Sequence, residues 1–348
     1  MRYRRVCLES VAYTLPEEIV TSDELEARLE PLYTRLRLPA GRLELMTGIR
    51  ERRFWSPGTL PSAKSIETGR KALSQSGVDP ALVGCLIHGS VCRDHLEPAT
   101  ASGVHQGLGL GPQCVIYDVS NACLGIMNGL LQAANMIELG QTQAALVVGS
   151  EGGRQLVETT VDWLNRDESL TREQVKLAVA SLTIGSASAA VLLVDRELSR
   201  TGHRLIGAEV GAYTAHHRLC HSGADEAAAH GMRPLMTTDS EALLMAGIAA
   251  GKATFAGFLR EVGWQPAELS QTICHQVGSA HRKLMLSELG LDPERDFATF
   301  PTLGNTGAAA LPSALALAEE SGRLRAGDRV ALLGIGSGIN VVMAGVEW

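Results

Sequence analysis

One segment constrains the fold more than any other. Residues 124–139 read LGIMNGLLQAANMIEL, and Leu124, Ile126, Met127, Leu130, Leu131, Ala133, Ala134, Met136 and Ile137 leave no wide polar face around a helix. A helix that is apolar nearly all round belongs in the interior of a large protein. The short run 114–120 just before it reads as a strand. Cys123 therefore stands where a strand turns into a central, buried helix. With 348 residues the chain can enclose such an element. Aromatics make up only 4% of it, so the core has to be closely packed Ala, Val, Leu and Ile.

The same alternation continues along the chain. Strands are expected at 85–91, 114–120, 145–149, 189–194, 205–214, 272–277, 329–334 and 340–346. Helices are expected over 22–30, 65–75, 124–139, 171–180, 240–262, 279–289 and 308–320. This is an α/β pattern. Thr21 and Glu24 form a capping-box signature at the first helix. A helix-like stretch at 155–164 and a polar connection at 165–173 make 151–181 an excursion between strands, not a separate domain. The halves repeat their element order, so the expected organisation is 1–181, carrying Cys123, and 182–348.

Several function classes drop out. The net charge is −7, against a general nucleic-acid binder. The basic clusters Arg2/Arg4/Arg5 and Arg50/Arg52/Arg53 are short and read as solvated or structural arginines, with a local phosphate contact as the alternative. Seven scattered cysteines with no CxxC argue against a disulfide framework and suit a reducing cytoplasm. No secretory leader is expected, and the longest apolar run, around 308–318, is broken by Pro312. Gly334-x-Gly336-x-Gly338 lacks the third glycine of a dinucleotide fingerprint, since position 339 is Ile339. His216, His217, Cys220 and His221 could hold a metal by residue type, yet no second ligand pair has helpful spacing. A polar surface loop is the reading adopted there, with no metal and no cofactor expected.

Chemistry concentrates at three places. A thiol at Cys123 would feel the positive end of the helix macrodipole, which favours the thiolate. The alternative is an inert buried cysteine. His275 ends a strand in ICHQV, and Asn305 lies in LGNTGA just before a helix. Residues at strand ends can converge in an α/β fold. Taken singly, His275 also reads as a structural histidine and Asn305 as a cap.

Asn121-Ala-Cys123-x-Gly125, then His275-Gln276, then Gly304-Asn305-Thr306-x-Ala308-Ala309-x-x-Pro312 and a glycine-rich terminal strand pair together resemble the thiolase superfamily. Within it the chain is most similar to the ketoacyl synthase III branch, to which 47–53 (TGIRERR) and 145–150 (ALVVGS) also fit. The resemblance implies two pseudo-equivalent α/β halves stacked as α-β-α-β-α layers. It implies that Cys123 accepts the acyl group and that His275 and Asn305 polarise the thioester oxygen of the second substrate. It further implies an oxyanion hole from the Cys123 amide and the late glycine loop at Gly336 and Gly338. Two positions depart from the branch, since its coenzyme A-holding tryptophan and arginine are here Arg42 and Met46.

A further departure is Glu97, in LEPATAS, where fatty-acid enzymes carry an apolar gate that crosses the dimer interface. The run resembles the OleA-type acyl-CoA condensing enzymes of long-chain olefin biosynthesis. That implies non-decarboxylative Claisen condensation of two acyl-CoA thioesters to a β-keto acid, with Glu97 from a partner subunit as base. A homodimer follows, with a heterodimer as alternative. The other readings are decarboxylative condensation with malonyl-carrier protein, acyl transfer to an alcohol or amine, and a non-catalytic subunit.

Overall fold

The computed structural model describes residues 1–222 and 235–348. Nine strands form one sheet: β1 (Val6–Thr14), β2 (Val83–Gly89), β3 (Val115–Val119), β4 (Ala144–Glu151), β5 (Ala187–Asp195), β6 (Arg204–Ala212), β7 (Gln271–Cys274), β8 (Arg329–Gly336) and β9 (Asn340–Glu347). Their order is 7-8-9-6-1-5-4-2-3. β2 runs parallel to β3 and β4, while β4–β5 and β5–β1 are antiparallel. The other half repeats the theme: β7 and β8 are parallel, while β8–β9 and β9–β6 are antiparallel. The halves join where β1 and its lead-in meet β6: Cys7 stands opposite Arg204, and the Tyr3 and Leu8 amides donate to the Ile206 and His203 carbonyls.

Side-chain alternation sorts the strands between layers. Cys85, Ile87, Ala145 and Val147 face the same core as Val330, Leu332, Val342 and Ala344, together with helices α3 (Gly125–Glu138) and α8 (Ala310–Glu320). The intervening residues face outward. Leu86, Leu146 and Val148 pack on α1 (Pro61–Ser76) and α2 (Thr100–Leu108). Ala331, Leu333 and Met343 pack on α6 (Ser240–Val262) and α7 (Ser279–Leu289). The result is five layers, helix–sheet–helix–sheet–helix, with α3 in the middle as its apolar circumference requires. Close approach there depends on missing side chains: a Cβ on Gly149 would lie 2.2 Å from the Gly89 carbonyl oxygen.

The excursion forms α4 (Arg154–Arg166) and α5 (Arg172–Leu182), which pack against Leu25, Leu29, Leu32 and Leu43 of the N-terminal region. Arg52 is fully buried among these elements and donates to Ser22 Oγ and the Leu182 carbonyl, so it is structural. Arg5 pairs with Asp195 at 2.6 Å.

Three expectations change. The first half extends past 181 to Asp195, because β5 lies between β1 and β4 and completes that half-sheet. β1 was not expected, because Glu9 and Ser10 interrupt its apolar pattern at a bulge between Leu8 and Ser10. Glu9 is buried there, accepting from Ser199 Oγ and the Arg200 amide. Finally, among the described residues α6, rather than 308–318, is the helix long and apolar enough to cross a membrane by length and composition; it packs Phe255, Phe258 and Val262 into the C-terminal core.

Candidate active site

The carboxyl ends of β3 and β7 deliver Cys123 and His275, while Asn305 follows the short helix Phe300–Leu303. After β3 the chain turns sharply through residues 120–124 and enters α3. Ala122 holds φ +47, a left-handed conformation that costs an L-residue about 1–2 kcal/mol. Strain on a non-glycine residue directly before Cys123 is a functional-site signature. Asn121 Nδ2 donates to Asn128 Oδ1 at 2.8 Å and to Asn340 Oδ1 at 3.3 Å. Asn340 Nδ2 in turn donates to the Ser337 carbonyl. The turn is thus laced to the late glycine loop. A Cβ on Gly336 would lie 3.6 Å from the Cys123 amide nitrogen, so this glycine flanks the Cys123 backbone. Gly338 sits beside Asn340 instead.

His275 follows β7 directly and its amide donates to the Leu333 carbonyl on β8. Gln276 anchors this corner, accepting from the Thr299 and Phe300 amides and donating to the Cys274 carbonyl. The His275 ring meets His281 edge-on, with centroids 6.2 Å apart. Burial pushes His275 down to about 3, with His281 adding to the effect, so the imidazole is neutral. Asn305 bridges to the excursion's end, donating from its amide to Thr183 O and accepting from the Gly185 amide. Its Oδ1 accepts from the Gly307 amide at 3.0 Å.

The electrostatics of Cys123 differ from the sequence expectation. Burial, with smaller contributions from Glu151 and Cys220, pushes the thiol up to about 12, while its own amide opposes them. The cause is position: α3 begins only at Gly125, so the sulfur is desolvated before it gains the full helix terminus. Glu151 was not singled out in the sequence. Its signal is the lone acid that ends the wholly buried strand AALVVGSE.

Glu97 lies on an exposed segment between β2 and α2. That segment adjoins β3, a sheet-edge strand whose Val115 is exposed. His216, His217 and His221 are exposed and Cys220 half-buried. Among the described residues no group of three or more His, Cys, Asp or Glu is placed to hold a metal ion.

Comparison with known proteins gives a consistent result. The family described as 3-oxoacyl-[acyl-carrier-protein] synthase III matches residues 117–214, and its C-terminal counterpart matches 259–348. An acyl-CoA:acyl-CoA alkyltransferase of Shewanella oneidensis is 42% identical, with 100% of both chains covered. Its namesake from Xanthomonas campestris is 36% identical, again over 100% of both chains. A crystal structure of a cysteine-to-serine variant of Xanthomonas campestris OleA, with bound lauric acid and lauroyl-CoA, superposes with a TM-score of 0.93 at 35% identity. It covers 99% of this chain and 100% of that one.

Proposed function

The chain belongs to the 3-oxoacyl-[acyl-carrier-protein] synthase III family, with the thiolase-like fold, and from that premise we propose that it joins two acyl-CoA thioesters by non-decarboxylative Claisen condensation. The Cys123 sulfur attacks the first acyl-CoA carbonyl, forming an acyl-cysteine and releasing coenzyme A. The Cys123 and Gly336 amides stabilise the tetrahedral oxyanion, with Gly338 shaping the loop behind them. Backbone donors aimed at developing charge can contribute about 3 kcal/mol each.

The second acyl-CoA has no carboxyl group to lose, so a base must take its α-proton. Glu97 of a second copy is that base. Neutral His275 donates a hydrogen bond to the thioester oxygen, and Asn305 does the same from its side-chain Nδ2, holding the enolate. The enolate carbon attacks the acyl-cysteine carbonyl, the C–S bond breaks, and the Cys123 thiolate leaves. The product is a β-ketoacyl-CoA, which water cleaves to the β-keto acid and coenzyme A. No cofactor enters any step.

The observation that carries this reading is Glu97 itself: a carboxylate on an exposed segment beside an unpaired sheet edge, in a chain with alkyltransferase relatives. The edge strand β3 supports a homodimer in which that segment enters the other protomer. The seven thiols are all free, which supports a reducing, cytoplasmic setting. The β-keto acid would serve olefin or related lipid biosynthesis. Glu97→Ala is expected to lower condensation at least a thousandfold while Cys123 still gains the acyl mass. Mass spectrometry of products from two acyl-CoAs, with no malonyl donor present, decides the matter. Product formed at the parent rate by Glu97→Ala rejects the base, and a strict need for a malonyl thioester supports the decarboxylative reaction instead.

A further inference from the structure

Glu151 closes β4 and is buried, yet no step above uses it. Its Oε1 accepts from the Val91 amide at 3.0 Å and the Ala308 amide at 3.3 Å. Its Oε2 accepts from the Cys92 amide at 3.3 Å. The strand end is itself fixed, because Trp55 Nε1 donates to the Glu151 carbonyl at 3.0 Å. Gly307 lies so close that a Cβ there would sit 3.1 Å from Glu151 Cγ.

These partners belong to two different pieces of the site. Val91 and Cys92 open the segment that leads to Glu97. Ala308 follows the turn that carries Asn305. Every one of the three is a backbone N–H, and three donors converging on one carboxyl favour its ionised form. Among the described residues no lysine or arginine pairs with it. We infer that Glu151 is a positioning residue of this site: one buried carboxyl group ties the Asn305 turn to the segment leading to Glu97 and places its acid against the Cys123 pocket.

The charge has a consequence for the nucleophile. The titratable groups acting on Cys123 are Glu151 from β4 and Cys220 from the short strand Cys220–Ser222. On Glu151 itself burial is the larger influence and raises the pKa, with the Val91, Cys92 and Ala308 donors working against it; once ionised, its charge opposes that of the Cys123 thiolate. Removing the negative charge therefore eases ionisation of the Cys123 thiol. Shortening the side chain leaves the charge but cannot reach both segments.

The test uses Glu151→Gln and Glu151→Asp in the full chain. Cys123 alkylation by iodoacetamide is followed by peptide mass between pH 7 and 10, alongside kcat and KM for condensation. Glu151→Gln should alkylate about tenfold faster at a given pH, equivalent to one pKa unit. Glu151→Asp should alkylate at the parent rate while kcat falls about tenfold or more with little change in KM. An unchanged or slower alkylation rate in Glu151→Gln overturns the charge, and full kcat in Glu151→Asp overturns the tie. If Glu151→Gln does not fold, Glu151→Asp alone decides the inference by its kcat. The inference rests on Cys123 as acyl acceptor. Alkylation needs no acyl-CoA, so a parent enzyme that takes no acyl label would reject that reading and leave the alkylation result to judge Glu151.

Discussion

The two histidines at the site set a pH dependence whose sign follows from burial. His275 is held down to about 3 and His281 to about 4, against an ordinary 6.5. Between 6.5 and these values the unfolded chain binds protons that the folded chain refuses, so stability falls as pH falls through that window and is unaffected above it. His281 Nδ1 is buried without a hydrogen-bond partner, so this ring adds no polar contact to offset its desolvation. Urea midpoints measured from pH 7.5 to 4 should drop on the acid side. His281→Leu should flatten that drop, and an identical slope in the variant would show that His281 does not carry it. For the same reason His275 should contribute no ionisation to the condensation rate between pH 5 and 8. Cys123, His275 and Asn305 stand out in the sequence as candidates because each sits in a short contiguous motif. Glu151 does not, because its partners come from residues 91, 92 and 308, and only the fold assembles them.

At the scale of elements, the site depends on how closely α3 can approach the half-sheet. Gly149 on β4, Gly89 on β2 and Gly125 at the start of α3 form a column without side chains. Gly149→Ala would drive a methyl group into the Gly89 carbonyl, a backbone atom that cannot swing away. The expected cost is about 1–3 kcal/mol of stability, with slower acyl loading because Gly89 and Gly125 flank the Cys123 turn. Urea denaturation and the rate of mass gain on Cys123 measure the two effects, and parent-like values for both would mean the column relaxes freely. The strongly periodic elements were legible from the sequence: α6 and α7 match their expected bounds of 240–262 and 279–289. Helix α2 was missed for a physical reason. Its sequence, TASGVHQGL, has weak helix propensity, and its first amides are capped from afar: Thr100 and Ala101 donate to Asp118 on β3 at 2.8 Å. No local pattern records a cap that arrives from another strand.

At the scale of the molecule, the duplication explains why the chemistry is divided. One half supplies the Cys123 turn from β3 into α3; the other supplies His275 after β7 and the glycine loop between β8 and β9. Glu151 and Asn305 sit across the seam. In the proposed arrangement Cys123, His275 and Asn305 act within one protomer, and the base, Glu97, comes from the exposed segment of the other. The proposed homodimer then predicts complementation between two inactive chains. Cys123→Ala has no acyl acceptor and Glu97→Ala has no base, so neither homodimer should condense acyl-CoA. When both chains are co-expressed, random pairing makes half the dimers mixed, and each mixed dimer contains one complete site of two. Recovery should therefore approach about a quarter of the parent activity for a symmetric dimer. A base acting within its own chain allows no recovery at all, because every chain in the mixture lacks one of the two residues. Measuring β-keto acid formed by the purified mixture separates these outcomes. Tagging each variant differently and isolating the doubly tagged dimer should raise recovery to about half, as one intact site in two requires.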